Sequence, residues 1–311
     1  MTATSHGCHR TRAPVDHAEV FALRTGSAAS IEVMRTAYRR QVFPRHTHDY
    51  LTFGVMLHGG GAIWYRGANR RTRAGDIVVI APGEVHTGGV DRGGSHHFVS
   101  YLAVHVPPDI VAACAEAEGF RGGEMPDFRS LVVRDPAISR ELRRLDTIVQ
   151  RIVGATGTAT PHAYIPTTED DAIADDALTT GLALLVRGHA RDPRSSTATA
   201  LPYREPRVVR LAREIIDDCF ADNTQTSLRA LAERIGVTPF HLVREFTHSV
   251  GLSPHRYVVQ TRVRRAGELL AHGVPPSLVA AMTGFVDQSH LTMQFKRYVG
   301  TTPACYQRCL V

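Results

Sequence analysis

Residues 228–257 read LRALAERIGVTPFHLVREFTHSVGLSPHRY, and residues 277–306 read SLVAAMTGFVDQSHLTMQFKRYVGTTPACY. The two stretches share an aliphatic-alanine pair, a glycine, a histidine-leucine pair, a phenylalanine, a second glycine, a proline and a tyrosine, in that order. One extra residue near Asp287 shifts the second copy from its histidine onward. Because a fixed internal period marks a repeated supersecondary unit, we expect one structural element to occur twice here.

Each copy is typical of a helix, a tight turn and a second helix. In the first copy, apolar residues recur at helical spacing up to Ile235, and Gly236 has the backbone freedom with which helices end. Thr238 is a favourable N-cap, and Pro239 suits the first helical position because its missing N–H would have no partner there. Asp287 takes the N-cap position in the second copy. The pattern therefore predicts two helix-turn-helix units.

The outer faces of the two second helices are the predicted DNA contacts. In a helix-turn-helix unit the second helix fits the major groove, where side chains near its N-terminus reach base edges. Arg244 is the strongest candidate for a base contact, because arginine to guanine is the commonest specific pairing. Two ordinary helical hairpins are the alternative, which the shared register of the copies disfavours. The candidates are Phe240, His241, Arg244, Thr247, Gln288, Ser289, His290, Met293, Lys296 and Arg297.

The segment between the two units predicts a joining helix from about Pro254 to Ala271. At about 1.5 Å per residue this helix would be roughly 27 Å long. That length suits two recognition helices one DNA turn apart, about 34 Å centre to centre. One side of the helix is apolar, and the other is basic, with Arg256, Arg262, Arg264 and Arg265.

The same region resembles the AraC/XylS family of transcription factors. The resemblance covers about residues 208–308 and implies an all-helical DNA-binding domain with one recognition helix per lobe. Family members often carry arginine where this chain has Met293, so the second lobe is expected to contact DNA through less polar groups. The runs that carry the resemblance are Arg262…Ala266…Leu269-Leu270, Gly284-Phe285…Ser289-His290…Phe295-Lys296 and Gly300…Thr302-Pro303…Tyr306.

Composition and charge fit a DNA-binding protein of one or two domains. The chain has 311 residues and a net charge of +6. Most of the positive excess falls after residue 203, in the segment expected to meet phosphates. Scattered cysteines without a CxxC pair are typical of a reduced, cytoplasmic protein. No apolar run reaches the length of a membrane span, and residues 1–30 do not resemble a secretory signal.

Residues 31–106 predict a barrel of short strands, preceded over residues 1–30 by an irregular arm or an edge strand. Short stretches rich in β-branched and aromatic residues alternate with Gly- and Pro-containing turns, among them Leu57–Gly61. The family's usual partner domain is a cupin-type jelly-roll barrel, and Pro44–His48 and Gly75–His86 resemble its two signatures. The expected strands are Val33–Phe43, Leu51–Leu57, Ala62–Arg66, Asp76–Ala81 and His97–His105.

The histidines of these signatures are the predicted effector site, since a small barrel can enclose one small ligand. Trp64, the only tryptophan, has core packing as its alternative role. The expected liners are His46, His48, Tyr50, Trp64 and His86.

A metal centre is the alternative use of the same histidines. The resemblance implies it, because enzymatic cupins hold a divalent metal with such histidines and a nearby glutamate. Here Thr52 or Phe53 stands where that glutamate would lie, which leaves three histidines as candidate ligands. We therefore expect polar groups lining a pocket, with no metal, no cofactor and no catalytic residue.

Residues 107–190 predict helices after the barrel. A heptad seam comprises Ile138, Leu142, Leu145, Val149 and Ile152. A second helix is expected over residues 170–188. The seam either packs on its own barrel or pairs two copies of the chain, and family members commonly pair through helices in this position. Residues 191–206, rich in Ser, Thr, Ala and Pro, predict an interdomain linker.

These features predict an α+β multidomain protein with a cupin-like jelly-roll β-barrel and, over residues 207–311, two helix-turn-helix units joined by a long helix. The expected function is a sequence-specific transcription regulator without enzymatic activity. Its expected partners are double-stranded promoter DNA, a small-molecule effector, RNA polymerase and a second copy of the chain, and activation is the family's common mode. The rivals are a metal-dependent cupin enzyme fused to a DNA-binding tail and a constitutive regulator whose barrel only dimerises.

Overall fold

The computed structural model describes residues 16–24, 30–90, 98–120, 124–128, 130–155, 168–191 and 205–310. Most of the predicted linker over residues 191–206 lies outside them. The strands are β1 (His17–Arg24), β2 (Ser30–Tyr38), β3 (Val42–His46), β4 (Leu51–Tyr65), β5 (Ala68–Arg73), β6 (Ile77–Ile80), β7 (His86–Gly89), β8 (Val99–Val106), β9 (Asp127–Phe128), β10 (Val132–Val133) and β11 (Ala190–Arg191). The helices are α1 (Pro108–Ala117), α2 (Pro136–Ala155), α3 (Thr168–His189), α4 (Arg207–Cys219), α5 (Leu228–Ile235), α6 (Pro239–Val250), α7 (Pro254–Ala271), α8 (Pro276–Met282), α9 (Gln288–Val299) and α10 (Pro303–Leu310).

Most of the strands form two antiparallel layers that share β4, while β9 and β11 pair separately. The N-terminal half of β4 pairs with β6 and β8, and β8 continues the layer through β2 to β1. The C-terminal half of β4 pairs with β5 and touches β7, which pairs with β3. The predicted β-rich N-terminal domain followed by a helical domain is confirmed. The sequence predicts an irregular arm or an edge strand within residues 1–30, and β1 is an edge strand, paired with β2.

The turn expected at Leu57–Gly61 is wrong, because β4 continues through this segment without a break. A register irregularity between Met56 and His58 bends β4 from one layer into the other, and Gly59 there has a φ of 72°. A Cβ on Gly59 would lie 1.9 Å from the carbonyl oxygen of Phe98. The glycines therefore bend the strand and let its neighbours approach closely, instead of ending it.

Both faces of the first layer are buried, and alternation along each strand assigns every side chain to one face. Phe53 of β4 and Val104 of β8 point outward and pack against α1, α2 and α3. Met34 of β2 and Met56 of β4 point into the barrel, in a separate apolar cluster. Thr52, one position from Phe53, therefore faces the barrel interior.

The heptad seam of α2 is covered within one chain. Ile138, Leu142, Leu145 and Val149 are fully buried in the cluster that also contains Phe53. The side chain of the fifth seam residue, Ile152, lies outside the described side chains. A homodimer, which stays a prediction, would therefore need a surface other than this seam.

The helices of the helical domain begin and end where the sequence signals predict. Thr238 accepts a hydrogen bond from the backbone N–H of His241 at 3.2 Å, and Asp287 accepts one from that of His290 at 2.7 Å. The turn glycines Gly236 and Gly284 have left-handed backbones, with φ of 80° and 74°. α7 has the predicted bounds of the joining helix. Among the described helices, none combines the length and apolar character needed to cross a membrane.

The sequence predicts Arg262 on the basic side of α7, but the structure buries this residue. Arg262 is only 6% exposed and links the two lobes. Its guanidinium donates hydrogen bonds to the carbonyl oxygen of Phe220 (2.7 Å) and to Asn223 Oδ1 (3.0 Å) in the first lobe. It also donates to the carbonyl oxygen of Gly284 (2.8 Å) in the turn of the second. Because an unpaired buried donor or acceptor costs about 1–3 kcal/mol, this network holds the lobes in one relative position.

The helical domain packs directly on the barrel. Phe295 of α9 shares one apolar cluster with Tyr38 and Phe43 of the barrel. Gln260 of α7 accepts a hydrogen bond from the backbone N–H of Thr47 (3.0 Å) and donates one to the carbonyl oxygen of the same residue. The end of the barrel that carries the signature histidines therefore faces the joining helix.

Candidate DNA interface and effector site

The outer face of α6 carries the first set of predicted DNA contacts. Phe240, Arg244 and Thr247 are exposed, and Phe240 is 76% exposed despite its large apolar ring. Arg244 rests against Glu245 Oε1, at 3.0 Å from its Nη2, and approaches His241 Nδ1 at 3.5 Å. A surface ion pair of this kind contributes little, so Arg244 can exchange it for a base or phosphate at small cost.

The outer face of α9 carries the second set. Its polar members Gln288, Ser289, Lys296 and Arg297 are exposed. Met293 is 59% exposed and provides an apolar contact surface of the kind that suits a thymine methyl group.

His290 differs from the other candidates on α9. It is only partly exposed, and its ring packs edge-on against Phe285 at 5.2 Å between centroids. His290 therefore stabilises the turn of the second unit. Whether any of the ten candidates contacts DNA stays a prediction.

The barrel brings four of the five predicted effector residues into one cluster. The ring centroids of His46 and His86 are 4.1 Å apart, those of His48 and His86 are 5.0 Å apart, and those of His46 and His48 are 6.2 Å apart. Tyr50 stacks on both His48 and His105, with centroid distances of 4.3 Å and 4.4 Å. The rings of His46, His86, His48, Tyr50 and His105 thus contact one another at the end of the barrel, and together they form the histidine row.

Backbone carbonyls determine the tautomer of each signature histidine. The Nδ1 of His46 lies 2.8 Å from the carbonyl oxygen of Pro44, and that of His86 lies 3.0 Å from the carbonyl of Glu84. His48 Nδ1 makes the same contact with its own nearby carbonyl, that of Tyr50, at 2.9 Å. Since a carbonyl only accepts, each Nδ1 carries the proton, and each Nε2 of the neutral ring is an acceptor.

Burial lowers the pKa of all three histidines, and lowers it most for His48 and His86. The neighbouring imidazoles add to this effect, because a second positive charge nearby would be repelled. At neutral pH the cluster is therefore uncharged. The Nε2 atoms of His46 and His86 are therefore hydrogen-bond acceptors for a bound ligand.

The donor set does not fit a metal centre of the cupin type. His48 Nε2 lies 3.2 Å from Thr52 Oγ1, so the Thr52 hydroxyl donates to the lone pair that a metal would need. Thr52 also occupies the position at which the glutamate ligand was sought. Among the described residues, no group of three His, Cys, Asp or Glu side chains is arranged to hold a metal ion.

The structure separates Trp64 from the histidines. Ile63 and Tyr65 are buried, whereas Trp64 between them points to the opposite face of β4 and is partly exposed. The guanidinium of Arg45 lies 4.0 Å from the centre of its ring. Neither the effector contact nor the alternative of core packing describes this position, because strand alternation directs the ring outward.

Glu32 connects the histidine row to the DNA-binding domain. His105 Nδ1 donates to Glu32 Oε1 at 2.7 Å, and the hydroxyl of Tyr306 in α10 donates to Glu32 Oε2. Burial alone would raise the pKa of the Glu32 carboxyl, but these hydrogen bonds and the charge of His105 outweigh it and lower that pKa. The carboxylate is thus charged and shared between the barrel and α10.

Sequence reasoning missed Glu32, Thr52 as a hydrogen-bond donor, and His105. They meet because β2, β4 and β8 pair in one register, with His105 opposite both Glu32 and Thr52. Strand pairing over such separations has no local sequence signal. An alternation test on β8 would have placed His105 on the same face as Tyr101, but not beside His48.

Two family models match the chain. Residues 28–160 match the AraC-like ligand binding domain, and residues 231–308 match a helix-turn-helix domain. The chain is 28% identical over 262 residues to the uncharacterized HTH-type transcriptional regulator YbfI of Bacillus subtilis, which covers 84% of this chain and 86% of YbfI. It is 38% identical over 105 residues to the HTH-type transcriptional regulator RipA of Corynebacterium glutamicum, across 34% of this chain and 31% of RipA.

A solved structure of similar length also aligns with the chain. The apo form of a ToxT variant from Vibrio cholerae aligns with 97% of this chain and 100% of its own, at a TM-score of 0.49 and 11% identity. The domain matches define a transcriptional regulator that joins an N-terminal ligand-binding domain to a C-terminal DNA-binding domain. The chain therefore carries both domains of an AraC-type transcriptional regulator.

Proposed function

We propose that the chain recognises promoter DNA through α6 and α9, and that a small molecule bound at the barrel histidines controls this binding. The observation that supports the proposal best is the position of Glu32, which accepts hydrogen bonds both from the histidine row and from Tyr306 of the DNA-binding domain. A ligand that rearranges His105 changes the partners of Glu32. The ligand therefore changes the strength with which the barrel binds α10.

The chemistry of the site indicates the kind of effector. The neutral imidazoles of His46 and His86 present Nε2 acceptors on rings 4.1 Å apart, whereas the Nε2 of His48 already accepts from Thr52. Such a site favours a molecule with hydroxyl or amino hydrogens, and the stacked rings of Tyr50 and His105 favour a flat or apolar body. No enzymatic step is assigned to these residues.

Selection of bound duplexes from a random DNA pool tests the DNA-binding half of the proposal. We expect a bipartite site whose two half-sites are about one helical turn apart. Binding of the full chain that shows no preference for any duplex over bulk genomic DNA would contradict it. The selected sequence then serves as the operator in every later measurement.

A thermal-shift screen tests the effector half. The probes are small molecules with several hydroxyl or amino groups, each matched by the same carbon skeleton without them. A ligand that binds only the folded state raises the unfolding temperature. His46→Ala combined with His86→Ala should abolish the shift and the effector response, with operator affinity close to that of the unaltered chain. An unchanged effector response in the double variant would exclude these histidines.

The two rivals make different predictions in the same preparation. Stoichiometric iron, nickel or zinc in protein purified without chelator would favour the metal-dependent enzyme. A barrel that binds none of the probes and changes only the oligomeric state would favour the constitutive regulator.

We also propose a cytoplasmic homodimer that activates transcription by contacting RNA polymerase. Sedimentation showing a strict monomer at micromolar concentration would remove the dimer.

A further inference from the structure

A surface groove of about 730 Å³ lies between α9 and the turn that joins β2 to β3. One wall is the recognition helix of the second lobe, and the other is the turn of the barrel domain. The lining residues are Arg40 and Gln41 from the turn, Val42 from the start of β3, and Gln288, Ser289, Thr292, Met293, Lys296 and Arg297 from the helix.

The helix wall of this groove is the predicted DNA-contact face of α9. Of the six candidates on that helix, five line the groove, and the sixth, His290, packs instead against Phe285. DNA that docks on α9 must therefore approach the barrel turn. An α-helix with its side chains is about 10–12 Å wide and fills a major groove about 12 Å wide, so a sugar-phosphate strand runs along each side of the helix.

The charges of the groove suit such a strand. Arg40, Lys296 and Arg297 are cationic, and no lining residue is acidic. Among the residues that the structure describes, no carboxylate forms an ion pair with any of these three side chains. Unpaired cations beside a DNA-reading surface attract phosphates and release counterions when they bind them.

Packing determines where the turn lies relative to α9. The backbone N–H groups of Arg39 and Arg40 both donate to Asp16 Oδ1. At the C-terminal end of α9, Gly300 has a φ of 87°, and a Cβ there would lie 2.2 Å from Tyr38 Oη. The close contact of Gly300 with the strand that precedes the turn holds Arg40 beside the recognition helix.

We propose that the groove holds one sugar-phosphate strand of the DNA bound by α9, and that Arg40 is a phosphate contact supplied by the ligand-binding domain. The inference rests on the proposed DNA-binding function and adds to it. The barrel then contributes to operator affinity directly, besides its role in sensing. Since Arg40 meets phosphate only, it contributes equally on all sequences.

Salt titrations of operator binding by the full-length chain test this contact. Arg40→Ala should weaken binding to the selected operator and to unrelated duplexes by the same factor. It should also lower the slope of log affinity against log salt by about 0.9, the contribution of one phosphate contact. Arg40→Lys keeps the charge and should keep the slope. The matched control is Arg140→Ala, an exposed cation on α2, in the helical layer whose core is separate from that of the second lobe.

Each other outcome overturns the proposal. An unchanged slope in Arg40→Ala means that no phosphate is contacted, and a higher affinity means that the turn screens α9 from DNA. A loss confined to the operator would indicate base contact instead. The side chain is exposed, so equal unfolding temperatures for Arg40→Ala and the unaltered chain are expected. If the unaltered chain selects no duplex, the proposed function fails and the Arg40 contact fails with it; an unchanged salt slope on a selected operator overturns the Arg40 contact alone.

Discussion

The two helix-turn-helix lobes share one sequence pattern but have different neighbours. The core of the first lobe, around Leu242 and Phe246, is a cluster of its own, and among the described barrel residues only Val85 packs against it. The core of the second lobe, around Leu291 and Phe295, is continuous with the inner cluster of the barrel. Duplication therefore preserved the fold of the unit while one copy became attached to the ligand-binding domain. Control by an effector should act on the second lobe.

Equivalent tyrosines make the difference concrete. Tyr257 closes the first copy, and its hydroxyl accepts a hydrogen bond from Arg213 Nε at 3.2 Å, within the DNA-binding domain. Tyr306 closes the second copy, and its hydroxyl donates to Glu32 of the barrel. Substitutions at equivalent positions of the two copies can therefore separate what the unit needs from what the attachment needs.

The largest difference is expected at the turn glycines. An alanine at either position must adopt a left-handed backbone, which costs about 1–2 kcal/mol. At Gly236 a Cβ meets nothing within 4 Å, whereas at Gly284 it would lie 2.3 Å from the carbonyl oxygen of Ala221. Gly284→Ala should therefore lower the free energy of unfolding by about 2–5 kcal/mol, since overpacking adds about 1–3 kcal/mol. Urea titrations followed by circular dichroism compare the two variants, and equal losses would contradict the close approach.

The next difference concerns DNA reading at Arg244 and Met293, which are equivalent positions of the two recognition helices. Arg244→Ala should cost about 1–3 kcal/mol of operator affinity and relax preference at one base pair. Met293→Ala should cost less, because it removes only an apolar contact. Binding to a panel of single-base operator variants measures both. A uniform loss on all duplexes would make Arg244 a phosphate contact.

Removing one hydroxyl tests the attachment itself. Tyr306→Phe should weaken the hold of the barrel on α10 by about 1 kcal/mol, because Glu32 keeps its hydrogen bond from His105. The expected readout is a change in operator affinity without effector, with a smaller effector response. Tyr257→Phe is the matched control and should leave the effector response intact. The same response change in both variants would show that the two lobes are controlled alike.

The smallest effect near neutral pH comes from the barrel histidines. The pKa values of His46, His48 and His86 are lowered in the folded chain, so the unfolded chain binds protons first, at a pKa of about 6.5. The free energy of unfolding should therefore fall as pH drops below about 6.5, down to the lowered pKa values. His86→Gln should reduce this slope. Fluorescence of Trp64, the only tryptophan, follows the barrel, and a slope independent of His86 would contradict the assignment.

The helical domain could be predicted closely because its signals are local. Thr238 and Asp287 cap helices through their own backbone neighbours, and Gly236 needs only its own backbone freedom. The burial of Arg262 could not be predicted, because its partners Phe220 and Gly284 come from both lobes. A basic residue on a long helix has the same local pattern whether it faces solvent or a second lobe.

The barrel was predicted in kind but not in detail. The sequence does not predict β5, because most of its residues are polar and exposed, which is typical of a strand at the edge of a layer. The glycines of β4 have the local signature of a turn, and only the close approach of neighbouring strands shows that they bend the strand. Among the candidate effector residues, His46, His48, Tyr50 and His86 converge, whereas strand alternation directs Trp64 to the opposite face of β4.

The guanidinium of Arg262 has a consequence for the promoters that this regulator can use. It donates hydrogen bonds to both lobes at once, so a change in the distance or angle between the two recognition helices would break these hydrogen bonds. Inserting one base pair between the half-sites would move them apart by about 3.4 Å and rotate one by roughly 35° about the duplex axis. Target promoters should therefore tolerate changes of base within the gap far better than changes of its length.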